Sequence, residues 1–362
     1  MLVYNKIKRN FLAIFILISI QFFSVKYVLA NNLTQEEIIY FPNKHSLSKL
    51  INLIDKAQKN IIISVYRIEN EQVINSIIDA KKRGVDVKII LCNFNKSERF
   101  DYEGFDQKTF VKLSNNKQSF DRFVANNIKV VFSDNDVFFA YHPKFVVIDD
   151  KIGIIGTSNL NDNGFFQARN FFLITREQKV ILELMDLFYQ DFNSIKEQKW
   201  YNHIAVSPGN YFNEIFNVIN YATDELYIYQ TTLAHKPTCN KLMRIASSGI
   251  KIKILTSKRI AQEYSKDEVL YCENMLKNHK NIDYKYLNDP YYVHAKIILA
   301  DPKQKTKTCF LGSSLFWNEG FTQSREVGIV TANNTTIKKI HSIFMKDFAL
   351  AGYEYNGEKN ID

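Results

Sequence analysis

The sequence predicts an α/β protein made of two similar halves, each an α/β/α layer with a mixed sheet, packed with pseudo-two-fold symmetry around a site between them. Three observations lead there. Strand-like runs alternate with helix-like runs, the pattern of βαβ units and a largely parallel sheet. Long stretches recur about 150 residues apart, which marks a duplicated domain rather than a solenoid. A histidine–lysine–aspartate stretch of fixed spacing occurs once in each half.

The chain has 362 residues, 46% hydrophobic and 23% charged, enough for two domains of about 150 residues each. Lys6, Lys8 and Arg9 precede the apolar run Phe11–Ile20, and Val28-Leu29-Ala30 supplies small residues at its exit. That order is a secretory signal, and the run is short for a membrane span. The expected division is therefore a signal at 1–30, a first domain at 31–200 and a second at 201–362. The expected location is secreted or periplasmic, or membrane-anchored if the segment stays attached. The formal charge of +9 falls to +5 without residues 1–30, which hold four basic side chains and no acid. A mildly basic chain suits phosphate-bearing partners, lipid or nucleic acid, and demands neither.

In the first half, Leu47, Leu50, Ile51 and Ile54 recur at helical spacing. A strand follows at Ile61–Tyr66, then a helix at Val73–Lys82 closed by Gly84, then a strand at Val85–Cys92. Asn93–Gln118 is irregular, with aromatic residues among charges, and reads as a solvated insertion or a substrate-facing lid. A short helix at Phe120–Asn127 and a strand at Ile128–Phe132 lead to the first motif. Phe165–Thr175 continues the fold, Val180–Ile195 is an amphipathic helix, and Glu197–Asn210 joins the halves. The second half restarts with helices at Phe212–Tyr221, Asn240–Ser247 and Val269–His279, and strands at Glu225–Gln230, Ile250–Leu255 and Tyr284–Leu287. The repeat matches Ala80–Leu91 to Arg244–Leu255, Asn135–Phe139 to Asn288–Tyr292, and Gly164–Thr175 to Gly320–Thr331. Four extra residues within Pro302–Thr308 form a polar loop in the second copy.

The motif reads HPKFVVIDDKIGIIGTSN from His142 to Asn159 and VHAKIILAD from Val293 to Asp301, followed by LGSS at Leu311–Ser314. Both copies keep H-x-K-x4-D: His142, Lys144, Asp149 and His294, Lys296, Asp301. Alternate residues of a strand share a face, so each histidine projects with its lysine. A lone H-x-K is ordinarily surface decoration, but two full copies, each followed by a G-[ST]-S turn, are hard to obtain by accident. An imidazole beside an ammonium suits an anionic substrate, and two such pairs suggest two halves facing one phosphate. Asp149 and Asp301 end their strands. Seven residues at about 3.3 Å each put Asp149 roughly 23 Å along from His142, which favours support over proton transfer.

This pattern resembles the phospholipase D superfamily, whose signature is H-x-K-x4-D followed by G-S-x-N. Gly156-Thr157-Ser158-Asn159 matches the turn with Thr for Ser, whereas Leu315 stands where the second Asn belongs. The resemblance covers most of the chain after about residue 35. It implies displacement at phosphorus through a phosphohistidine, with a general acid and no cofactor or metal. Lys144, Asn159, Lys296 and Ser313 would hold the phosphoryl oxygens. Leu315, Phe316 and Trp317 form either an apolar wall for a lipid chain or ordinary core.

In such a family a downstream acid holds the histidine. The repeat places Asn170 opposite Glu326, so the expected pairs are His142 with Asn170 and His294 with Glu326. A carboxylate favours imidazolium, which makes His294 the general acid and His142 the nucleophile. Arg169 and Arg325 should face the other way, as structural ion pairs.

The leading expectation is a phospholipase D-type hydrolase acting on phospholipid at a membrane surface, as a monomer, since one chain completes the site. The alternatives are a nuclease of the same superfamily, a phosphatidyltransferase resembling cardiolipin synthases, and a non-catalytic, membrane-tethered anion-binding module. Cys92 and Cys309 lie in or beside apolar runs and read as core residues, and four cysteines allow three pairings.

Overall fold

The computed structural model describes residues 36–93, 115–134, 136–197, 199–257 and 266–352. The basic–apolar segment 1–30, residues 94–114 of the expected insertion and Asn135 lie outside them.

The first sheet holds β1 (Glu37–Phe41), β2 (Asn60–Val65), β3 (Asp86–Leu91), β4 (Lys129–Phe132), β5 (Lys144–Ile148), β6 (Ile152–Gly156) and β7 (Ala168–Thr175), in the order β1-β7-β6-β5-β2-β3-β4. The second holds β8 (Ala205–Ser207), β9 (Glu225–Tyr229), β10 (Lys251–Thr256), β11 (Ile282–Tyr286), β13 (Ile297–Ala300), β14 (Thr308–Gly312) and β15 (Glu326–Thr331), in the order β11-β10-β9-β13-β14-β15-β8. The two orders correspond strand for strand. β12 (Tyr292–Val293) lies in the second half of the chain but pairs with β7 of the first sheet.

The sheets are mixed. The largely parallel arrangement implied by helix–strand alternation holds for β2-β3-β4 and β9-β10-β11, and β12 also lies parallel to β7. The motif strands β5 and β13 run antiparallel to both of their neighbours, β2 and β6 in one half and β9 and β14 in the other.

Helices α1 (Lys44–Asp55) and α2 (Glu71–Lys82) cover the outer face of the first sheet, and α3 (Asn115–Ala125) follows, starting earlier than its expected Phe120. Asn43 and Asn70 cap α1 and α2 by accepting from backbone amides, and Gly84, at φ +96°, closes α2 as its sequence implies. In the second half α5 (Tyr211–Tyr221), α6 (Lys236–Ser247) and α7 (Lys266–Lys277) repeat this layer, with a Cys239–Cys272 disulfide between α6 and α7. Cys92 and Cys309 are buried free thiols, as their apolar surroundings suggested.

Helix α4 (Gln178–Phe192) and the C-terminal helix α9 (Asn334–Leu350) contribute to the core shared by the two sheets. Leu184, Leu187 and Phe188 of α4 share it with Ile340 and Phe344 of α9 and with strand residues of both halves. A short helix α8 (Asn318–Thr322) follows the second turn. The apolar interface makes one body of the duplicated halves and fixes the facing of their motifs. Among the described residues, no helix is long and apolar enough to cross a membrane.

Candidate active site

The site is built by an exchange of backbone. Tyr141 bridges in parallel to Arg325, and the His142 amide donates to the Arg325 carbonyl at 2.9 Å. In the mirror arrangement, β12 pairs with Ala168–Arg169 and the His294 amide donates to the Arg169 carbonyl at 3.1 Å. Each motif therefore docks its histidine on the other half. Lys144 nevertheless lies in β5, opposite Val65 of its own sheet, two residues on from the crossing.

The exchange overturns the expected pairing. His142 Nδ1 lies 3.0 and 3.1 Å from the two carboxylate oxygens of Glu326, and His294 Nδ1 lies 2.9 Å from Asn170 Oδ1. Asn170 and Glu326 are equivalent positions, as the repeat implies, but each serves the histidine of the opposite half. A repeat alignment establishes equivalence within halves; it contains nothing about which half a strand end docks upon.

Both partners are themselves held. The Thr157 hydroxyl donates to Asn170 Oδ1 at 2.8 Å, and the Asn170 amide donates to the Gly164 carbonyl at 3.1 Å. The Ser313 hydroxyl donates to Glu326 and accepts from the Val327 amide at 3.0 Å. This corrects the expectation for Ser313. Its buried hydroxyl is engaged behind His142 instead of facing a phosphoryl oxygen, and Thr157 plays the same part behind His294. The turn glycines follow from packing. A Cβ on Gly156 would sit 1.7 Å from the Phe172 ring, and one on Gly312 would sit 2.3 Å from the Tyr211 hydroxyl.

The Lys144 ammonium donates to the His142 carbonyl at 3.0 Å, and the Lys296 ammonium donates to the His294 carbonyl at 2.7 Å, 3.2 Å from both of that ring's nitrogens. Both lysines are almost fully buried. Burial pulls Lys144 down to about 7 against the attraction of Glu326, and pulls Lys296 well below its ordinary range with Lys144 adding repulsion. Burial, then the two ammoniums, hold His142 and His294 well below the ordinary histidine range. Burial also pushes Glu326 up to about 8, against Lys144, the Ser313 hydrogen bond and Lys296. A Glu326 carboxylate accepting from Ser313 and from His142 Nδ1–H leaves the His142 Nε2 lone pair free. A desolvated cluster with two ammoniums is a place where a phosphate anion would restore the missing negative charge.

Asp149 and Asp301 stand elsewhere, which removes them from the candidate catalytic set. Asp149 accepts from the amides of Gln58, Lys59 and Asn60 at 2.7–3.2 Å. Asp301 accepts from the amides of Thr223, Asp224 and Glu225 and from the Thr223 hydroxyl at 2.8–2.9 Å. Because β5 runs antiparallel to β2, Lys144 meets the end of β2 and Asp149 its beginning. Each aspartate clamps the start of the central strand at the far end of the sheet. Both take a positive φ, 56° and 49°, which Asp tolerates better than most residues.

The arginines are structural ion pairs, as expected. Arg169 grips Asp347 of α9 with two nitrogens, at 2.6 and 2.9 Å, and Arg325 meets Asp191 of α4 at 2.9 Å. Asn159 lines a cleft of about 390 Å³ that reaches His294. Its Oδ1 is enclosed, which leaves Nδ2 as the group it can offer. Leu315 and Phe316 are buried, and Phe316 belongs to the second half's core, whereas Trp317 is half-buried with its ring 5.8 Å from Phe139. Sequence reasoning missed Tyr66, whose ring lies 4.9 Å from His142 and 5.5 Å from the Lys144 ammonium. Its position just past a buried strand that pairs with the motif was the available signal.

A family model described as "Cardiolipin synthase, PLD-like domain" matches the chain twice, over residues 50–195 and 215–348. The chain belongs to the phospholipase D superfamily. Both matched segments contain one His–Lys pair, so the superfamily relationship covers each half of the site. A cardiolipin synthase of Clostridium perfringens (strain 13 / Type A) is 23% identical over 347 residues, 85% of this chain and 69% of that protein. The solved phosphatidylserine synthase of Haemophilus influenzae superposes with a TM-score of 0.66 at 11% identity, covering 87% of this chain and 86% of that one. A polyphosphate kinase from Porphyromonas gingivalis gives 0.64 at 17% identity, covering 90% of this chain and 53% of that one. At these identities, the solved structures bear on the fold alone.

Proposed function

We propose that this superfamily member transfers a phosphatidyl group from one alcohol to another through a phosphohistidine. The carrying observation is that two His–Lys pairs, the lysines buried and the histidines partly exposed, meet at one site with unlike partners on Nδ1, a carboxylate for His142 and a carboxamide for His294. The family model and the curated relative both carry the name cardiolipin synthase, which favours transfer over the hydrolysis first expected.

In the proposed reaction His142 Nε2 attacks phosphorus. The N–P bond forms as the P–O bond to the first alcohol breaks, and His294 Nε2–H gives that oxygen its proton. Attack turns the His142 ring into a cation with its proton on Nδ1, and the Glu326 carboxylate stabilises that charge. The carboxylate thus supports the role of nucleophile through the charge that develops, the reverse of its expected effect on the resting ring. Asn170 Oδ1 accepts the His294 Nδ1 proton and orients Nε2 without adding charge. A bound phosphodiester raises the proton affinity of His294 and the lysines together, so the acid is loaded when substrate arrives. The second alcohol then gives its proton to His294 and displaces His142. Water in that step would give phosphatidic acid, the hydrolytic outcome.

The test is purified chain with phosphatidylglycerol vesicles and separately with single-stranded DNA, products resolved by mass spectrometry. Transfer predicts a phosphatidyl product joined to the acceptor alcohol. Phosphatidic acid alone would return the reading to a hydrolase, and DNA cleavage without lipid turnover to a nuclease.

A further inference from the structure

The two histidines occupy equivalent places and differ in what lies beside their rings. Phe145 and Ile297 follow the motif lysines and pair with Ser64 of β2 and Tyr229 of β9. Two residues beyond these partners stand Tyr66 in the first half and Thr231 in the second. Parallel bridges keep the same register, Ile68 to Leu160 in one half and Leu233 to Phe316 in the other. Duplication has therefore left an aromatic ring at a position where the second half has a small hydroxyl side chain.

The Tyr66 ring meets three nitrogen groups. Its centroid lies 4.9 Å from that of the His142 imidazole, with the planes crossing at 73°, an edge-to-face contact. The Lys144 ammonium stands 5.5 Å from the same centroid, and the Arg67 guanidinium carbon 5.6 Å. Both lie within the roughly 6 Å over which a ring face attracts a cation. Glu69, 3.7 Å from Arg67, offsets that guanidinium. The backbone beneath the ring is pinned, because the Asn116 amide of α3 donates to the Tyr66 carbonyl at 2.7 Å and to the Cys92 carbonyl at 3.1 Å. Tyr66 also packs against the core shared by the halves, so the fold sets the place of the ring.

Charge decides what such a ring can do. On the transfer reading His142 starts neutral and becomes a cation once Nε2 bonds to phosphorus. His294 moves the other way, from imidazolium to neutral imidazole, as it releases its proton. An electron-rich face favours the first change and opposes the second. Tyr66 stands on the side where charge appears. Tyr292 lies further from His294, 6.3 Å between centroids, with its hydroxyl tied to Asn163.

We propose that Tyr66 is a positioning residue for the covalent step, its ring face holding the Lys144 ammonium in place and stabilising the phosphorylated His142 cation. The inference rests on the transfer reading, through its choice of His142 as nucleophile, and deepens it by giving part of the electrostatic work to a neutral ring. The effect belongs to the π-face, so it survives loss of the hydroxyl and fades as electron density is drawn out of the ring.

The experiment uses the full chain and phosphatidyl-p-nitrophenol in mixed micelles. His142 Nε2 forms the N–P bond as p-nitrophenolate departs with the bonding pair, so release reports formation of the covalent intermediate. Position 66 is made leucine, phenylalanine, and phenylalanine carrying one, two and three ring fluorines. Tyr66→Phe should keep kcat/KM within a few-fold. Added fluorines should lower it stepwise, to a total of about tenfold at three, and Tyr66→Leu should lose at least as much. Phosphohistidine at residue 142, read by mass spectrometry, should accumulate more slowly in the same order. Fluorine changes the charge distribution of the ring with little change in its shape, so a packing role predicts no slope even if the leucine variant fails to fold. A rate independent of fluorine count, or Tyr66→Phe as inactive as Tyr66→Leu, would overturn the role of the ring while leaving the transfer reading standing. Phosphohistidine on residue 294 would overturn this inference together with the choice of nucleophile. No p-nitrophenol release by the unaltered protein would overturn both readings.

Discussion

Replacing Lys144 with Met should inactivate the protein and make it more stable at neutral pH. Lys144 is 2% exposed, and its ammonium is pulled from 10.5 to about 7 mainly by burial. Each tenfold of proton affinity is about 1.4 kcal/mol, so holding this lysine in the native site costs about 4 kcal/mol at pH 7. Methionine fills a similar volume without a charge. It loses the hydrogen bond to the His142 carbonyl, about 1 kcal/mol, which leaves a net gain of about 3 kcal/mol. The sign follows from proton binding. Between about 7 and 10.5 the unfolded chain keeps the Lys144 proton and the native chain releases it, so wild-type stability climbs with pH across that window. The variant lacks this term. Its advantage should be largest at pH 7 and below, shrink as pH rises, and turn into a deficit of about 1 kcal/mol near pH 10.5. Urea denaturation of both proteins at pH 7, 8.5 and 10 measures the gap directly. A variant less stable at pH 7, or a gap constant with pH, would refute the account of Lys144 as a cation stored at a cost for binding phosphate.

Other outcomes follow from the site and its supports. With a phosphatidyl donor whose leaving group needs little protonation, His294→Ala should still accumulate phosphohistidine and His142→Ala should not; the opposite pattern would exchange the two roles. The reaction needs Lys144, pulled down to about 7, with its proton and Glu326, pushed up to about 8, without one, so kcat/KM should peak between about pH 7 and 8 and fall on both sides, and a profile flat from pH 6 to pH 9 would contradict this. Asp301→Asn halves the acceptor capacity that holds Thr223, Asp224 and Glu225, and should cost about 1–3 kcal/mol of stability with little change in kcat per folded molecule. A thousandfold loss of kcat at unchanged stability would restore Asp301 to the catalytic set. The segment from Lys6 to Ala30 is proposed to carry the chain out of the cytoplasm, and N-terminal sequencing that finds intact Met1 on cytosolic protein would end that proposal.

Much of this molecule is decided locally and is legible in the chain. Apolar periodicity marks α2 and α4, buried runs mark β3 and β10, and Gly84 and Gly249 mark helix ends because a left-handed residue is needed there. The two His–Lys pairs are conspicuous from their spacing, although the shared strand face expected for them is not what holds them, since β5 begins only at Lys144 and β13 only at Ile297. The repeat then makes Asn170 and Glu326 equivalent and marks Arg169 and Arg325 as neighbours on the opposite strand face, where they meet Asp347 and Asp191. Tertiary structure decided what depends on chain crossing between the halves. Pairing of β12 with β7, and of Tyr141 with Arg325, gives Glu326 to His142 and Asn170 to His294. A residue pattern describes one strand's faces and is blind to which sheet edge captures its end, because that choice is made by the apolar core shared through α4 and α9. The same reasoning explains Asp149 and Ser313. Their conspicuous places in the motif reflect bonds to strand amides and to Glu326, partners 89 and 13 residues distant in the chain, that only the folded backbone brings within reach.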